Sequence, residues 1–94
     1  MLYYIKKIIS VEDYTVKCLF NTSEVRSINL KPVIDKYLKI NDGLISQLSD
    51  PFIFKTVLLD SYGTLVWNNG VDFDPDNLYS MSVLESSNIM KAEN

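Results

Sequence analysis

Hydrophobic and polar positions alternate through the first third of the chain and then change period. Residues 2–9 are rich in Tyr and Ile and predict a first strand. After Glu12-Asp13, the stretch Tyr14 to Phe20 places Val16, Cys18 and Phe20 on one face and Thr15, Lys17 and Leu19 on the other. That is the two-residue period of a half-buried strand. Asn21-Thr22-Ser23-Glu24 reads as a polar turn and Val25 to Leu30 as the returning strand, so residues 2–30 predict a three-stranded antiparallel meander. Pro32 suits the first turn of a helix, where its missing amide hydrogen costs nothing. Val33, Ile34, Tyr37 and Leu38 then fall at helical spacings, with Asp35, Lys36 and Lys39 opposite, until Asn41-Asp42-Gly43 stops the helix.

The second half is more broken. Leu44 to Leu48 is apolar but of no definite form. Asp50 is a good N-cap and Pro51 a good first helical residue, which predicts one turn over Phe52 to Lys55. Thr56 to Asp60 and Thr64 to Trp67 read as a hairpin around Ser61-Tyr62-Gly63. Asn69-Gly70 supplies a tight turn, and Asp74-Pro75 repeats the capping signal with Asp76 favouring the positive end of the helix dipole. The expectation is one α+β domain over residues 1–84, a small antiparallel sheet of meander plus later hairpin packed with one main short helix. Residues 85–94 are expected to form a polar tail, frayed or briefly helical.

Composition supports a single core and narrows the partners. Ninety-four residues with 47% hydrophobic content can fill one core, though with a thin margin that a homodimer would relieve. Nine basic against twelve acidic residues give a net charge of −3 with no histidine. That balance disfavours direct nucleic-acid binding, which gathers Lys and Arg to displace counterions from phosphates. Arg26 is the only arginine, and Lys6, Lys7 and Lys17 are the one candidate basic patch. A protein partner presenting Lys or Arg, or a second copy of the chain, fits better. Cys18 is alone, which points to a reducing compartment. With no apolar stretch of membrane-spanning length and no signal-like start, the expected address is cytoplasmic and no membrane partner is expected.

The densest chemistry lies between Trp67 and Tyr79. Asp72, Asp74 and Asp76 alternate like the first ligands of a calcium loop, but the sixth and twelfth positions hold Asn77 and Val83 instead of Gly and Glu. Zinc ligands amount to Cys18, serine catalysis lacks a histidine base, and Gly43, Gly63 and Gly70 are too far apart for a phosphate loop. No catalytic residue, metal site or cofactor is therefore expected, and enzymatic function is disfavoured by missing parts. Trp67, Asn69, Asp72, Asp74, Asp76 and Tyr79 form the candidate interaction surface, with Trp67 able to serve either core or interface. A cleft lined by the aspartates that binds a cation or small molecule, and a structural homodimer, are the competing readings.

Particular residues also carry a family resemblance. Asp13-Tyr14 precedes Val16 to Phe20, Glu24-Val25-Arg26 leads through Ile28-Asn29-Leu30 into Pro32-Val33-Ile34, and Leu48, Asp50-Pro51 and Phe54 follow. Val66-Trp67, Asn69-Gly70, Asp72 to Asp76 and Leu78-Tyr79 complete the pattern. Over about residues 4–80 the chain resembles the bacterial domain-of-unknown-function family 2442, similar to the N-terminal domain of a Nitrosomonas protein. The resemblance implies a compact α+β domain with an antiparallel sheet, and an antitoxin-like or regulatory role through protein contact. It carries no catalytic residues. Asn29 stands where the family usually has Asp, and Asp76 where Glu is more usual, so the carboxylates do not read as a fixed set.

Overall fold

A computed structural model describes residues 2–40 and 43–85. Its N-terminal half is the expected meander: β1 (Ile5–Glu12), β2 (Thr15–Phe20) and β3 (Val25–Asn29), all antiparallel. Val16, Cys18, Phe20 and Ile28 turn inward and are fully buried. The register of β1 is displaced between Ile5 and Lys7 and again between Ile8 and Ser10. These two bulges let Ile5, Ile8 and Val11, three residues apart, each stand opposite the inward residues Phe20, Cys18 and Val16. That is why β1 lacks the clean alternation of β2.

Two positive φ angles tighten the turns of the meander, at Asp13 (52°) and Ser23 (73°). The chain then enters α1 (Lys31–Lys39), in which Pro32 stands in the first turn and Ile34 is the buried residue. Leu38, expected on the apolar stripe, is 45% exposed. A 3-10 turn (Ile45–Ser49) packs against α1 and leads into α2 (Pro51–Phe54), a single turn whose Asp50 cap accepts the Phe52 amide. Tyr14 ties this region to the meander: its hydroxyl donates to the Ser49 carbonyl and its own carbonyl accepts the Leu30 amide.

The predicted hairpin is present in miniature as β4 (Leu58–Leu59) and β5 (Leu65–Val66), a two-stranded sheet of its own. The turn between them is fastened to β1 by the Ile5 amide, which donates to the Gly63 carbonyl at 2.8 Å. After α3 (Pro75–Met81) comes an element that the sequence pattern did not reveal. β6 (Val83–Leu84) pairs antiparallel with β3 and completes the order β1-β2-β3-β6. Its two residues are too few to show a period. Glu85, expected to begin the tail, continues the pairing through its amide to the Val25 carbonyl. The remainder of the expected tail, together with Asn41 and Asp42 of the helix stop, lies outside the described residues.

Candidate functional site

Each residue singled out between Trp67 and Tyr79 has a definite place. Trp67 is 4% exposed, and its indole Nε1 donates to the Phe54 carbonyl at 2.9 Å. Its ring meets Phe54 and Phe73, so the indole links β5 to α2 and to the chain approaching α3. Asn69 closes the following turn by accepting the Val71 amide, and its side-chain NH2 reaches the Leu44 carbonyl and Gln47 Oε1. Asp72 is exposed, and its backbone forms an isolated antiparallel bridge with Val66. Asp74 caps α3 by accepting the Asp76 amide, and Asp76 accepts the Tyr3 amide at 2.8 Å. Two of the three aspartates thus hold backbone, and nothing draws the three together. Among the described residues no group of three His, Cys, Asp or Glu could hold a metal ion.

Tyr79 belongs to a separate cluster that the sequence did not disclose. Its ring stacks on Tyr3 at 3.7 Å and nearly parallel, while the Arg26 guanidinium lies 4.3 Å from its centroid. The Tyr79 hydroxyl donates to Glu24 at 2.5 Å, and Arg26 bridges Glu24 and Ser82. This bond holds the Glu24 carboxyl below its ordinary range, aided by the Thr22 hydroxyl, and raises the Tyr79 hydroxyl. Glu24 and Arg26 sit on or beside β3 while Tyr79 and Ser82 come from α3 and its end, so the cluster clamps the helix to the sheet. The only prior signal was the Glu24-Val25-Arg26 motif. Cys18 is sealed in the core, where burial pushes its thiol up to about 12. It is therefore a packing group, with almost no thiolate at neutral pH.

A hollow bearing carboxylates does exist, though away from the aspartate run. On the open face of the meander, Glu12, Asp13 and Glu85 border it together with Lys17 and Ser27. Glu85 accepts from Ser27 and pairs with Lys17 at 3.5 Å, which lowers its pKa through the serine bond first and the lysine second. Lys17 and Glu85 thus pair across the hollow.

The more unusual surface lies at α2. Phe52 is 82% exposed, an extreme value for a large aromatic group. It flanks a shallow, mostly apolar groove of about 410 Å³ bordered by Gln47, Ile53, Thr56, Asn68 and Asn69. Leu44, 51% exposed, adjoins it through the Asn69 bond to its carbonyl. Asn68 and Asn69 are the part of the Trp67–Tyr79 run that reaches this surface.

A model of the family described as "Protein of unknown function (DUF2442)" matches residues 5–83. The chain belongs to the DUF2442 family. No curated protein matches it. A solved structure from Nitrosomonas europaea, named "Putative DNA Binding Protein", shares the fold with a TM-score of 0.66 at 18% identity. The likeness covers 85% of this chain and 48% of that one, so this DUF2442 chain spans about half the length of the protein it resembles.

That finding corrects one expectation. The acidic balance disfavours direct nucleic-acid binding on composition alone, yet the same fold occurs in a protein bearing a DNA-binding name. Net charge averages over the whole surface, whereas recognition is decided locally. Here Lys6 and Lys7 are adjacent and exposed on β1 despite the total of −3. No helix among the described residues is long and apolar enough to cross a membrane.

Proposed function

We propose that this DUF2442 chain is a non-enzymatic protein-binding module, regulatory or antitoxin-like in character, whose contact surface is the patch around Phe52. One observation carries the reading: a phenylalanine 82% exposed beside a mostly apolar groove. An exposed aromatic anchor next to a depression, rimmed here by the side-chain amides of Gln47, Asn68 and Asn69, is the usual make-up of a contact centre. The core gains nothing from Phe52 in this position. Affinity capture with the wild-type chain and with Phe52→Ser, followed by identification of bound protein, tests the proposal. The expected result is a stoichiometric protein held by wild type and lost from the variant. Equal recovery by both, or by neither, contradicts it.

A second reading has its own observation. Tyr62, 83% exposed, and Tyr4, 45% exposed, border a groove with Lys6. Two aromatic faces and a cation suit stacking and phosphate contact with a single strand. Fluorescence anisotropy of a labelled single-stranded oligonucleotide over a salt series decides it: binding that weakens with salt and with Tyr62→Ala supports it, and no change in anisotropy removes it.

A further inference from the structure

The turn that follows β5 is built on a chemically labile dipeptide, Asn69-Gly70. The Gly70 amide closes it by donating to the Trp67 carbonyl at 3.0 Å, and the Trp67 amide donates to the Val71 carbonyl at 2.9 Å. Gly70 takes φ +95°, so the turn selects glycine after Asn69. No other asparagine of the sequence precedes a glycine. Gly70 is exposed, and a Cβ there would meet nothing within 4 Å, so no neighbouring group fences the bond on that side.

The Asn69 side chain meanwhile holds three groups. Its Oδ1 accepts the Val71 amide at 3.1 Å, while its Nδ2 donates to Gln47 Oε1 at 2.9 Å and to the Leu44 carbonyl at 3.1 Å. The two Nδ2 bonds form a latch between the end of β5 and the 3-10 turn. Both ends of the side-chain amide are thus held and the Gly70 N–H is engaged, which keeps the Gly70 nitrogen off the Asn69 Cγ while the latch is closed. The latch bonds lie at the exposed surface, where such contacts open at low free-energy cost.

We infer that Asn69 is a site of spontaneous deamidation, gated by its bonds to Leu44 and Gln47, and that its conversion opens this latch permanently. In the open state the Gly70 nitrogen gives its proton to solvent base and attacks Asn69 Cγ, forming a C–N bond. Nδ2 takes a proton back from solvent and leaves as ammonia, which closes a succinimide ring. Water then adds to either ring carbonyl and breaks its C–N bond, giving aspartate at position 69 or its isoaspartate isomer. Water is consumed and ammonia released, with no other reactant. A carboxylate there still accepts the Val71 amide but donates nothing. Gln47 can turn its amide to offer Nε2, whereas the Leu44 carbonyl has no such choice and faces a like-signed oxygen. The tie to Leu44 is lost, and the groove beside Phe52 gains a negative charge at its border. This chemistry needs no partner and holds whether or not the groove is a contact.

Peptide mass mapping of the full chain, incubated folded at mildly alkaline pH and sampled over time, tests the site. Position 69 is expected to convert before any other asparagine, giving aspartate and isoaspartate together. Gln47→Ala removes one holding bond and should speed conversion about fivefold, the factor that corresponds to one net hydrogen bond. Circular dichroism confirms that the variant folds. An Asn69 that stays intact, that yields aspartate alone, or that converts equally fast in Gln47→Ala overturns the gated site. Amide hydrogen exchange of Asn69→Asp tests the latch. The Gln47 and Asp50 amides, which donate to the Leu44 and Gln47 carbonyls, should exchange about fivefold faster than in wild type, with β2 unchanged. Unaltered exchange at both overturns the opening.

Discussion

Two Asp-Pro pairs start short helices in this molecule, and the aromatic groups that accompany them have opposite fates. At Asp74-Pro75 the cap opens α3, which buries Leu78 and locks Tyr79 against Tyr3, Arg26 and Glu24. At Asp50-Pro51 the same cap geometry opens α2, which buries Phe54 but leaves Phe52 82% exposed. A capping signal fixes where a helix starts, because it satisfies the first free amides. It does not say which side chains find a neighbour. The chemically dense run is used to build a corner, and the plainer turn is left with a surface to offer.

The largest effect that could break this comparison is at Trp67. Trp67→Ala empties a buried ring site and removes the indole bond to the Phe54 carbonyl, so equilibrium urea unfolding should show a loss of about 3–5 kcal/mol. Gly63→Ala comes next. Gly63 has φ +82°, and a Cβ there would stand 2.7 Å from the Tyr4 Cβ and 3.1 Å from the Ile5 carbonyl oxygen. A cost of about 1–3 kcal/mol in thermal or urea unfolding is expected, since either strain or displacement of β1 must follow.

Asp74→Ala removes the α3 cap and should cost about 1 kcal/mol by the same measurement. Glu24 sharpens the picture through pH. Its folded carboxyl titrates below its ordinary 4.5, so its stabilising contribution is complete above that value and is lost as pH falls through the folded pKa. Glu24→Gln should flatten this acid-side slope in unfolding curves measured below neutral pH. At the far end, Phe52→Ser should change monomer stability by no more than about 0.5 kcal/mol, as exposed substitutions do. A large loss there would mean that Phe52 is a structural group after all.

Much of this architecture was legible from pattern. The alternation of Val16, Cys18 and Phe20, the two Asp-Pro caps and the Gly63 turn led to the right elements because each is a local signal with a local cause. β6 was not legible, since Val83 and Leu84 acquire their strand character only by pairing with β3. The Arg26 cluster was hidden for a similar reason: Glu24 and Tyr79 lie fifty-five positions apart and meet only after α3 folds back. For the candidate surface, the sequence drew attention to aspartates and tryptophan, the residues with the most chemistry. Asp74 and Asp76 accept the backbone amides of Asp76 and Tyr3, and the Trp67 indole donates to the Phe54 carbonyl, so these groups are spent on the fold. Exposure of Phe52 depends on what fails to cover it, which no local pattern encodes.

The contrast between the two regions can be read residue by residue from amide NMR spectra of the chain titrated with the protein that it captures. The account predicts shifts at Leu44, at Phe52 to Thr56 and at Asn68 and Asn69, with Asp72 to Tyr79 unchanged. Shifts confined to Asp72–Tyr79, with the Phe52 patch silent, would contradict it.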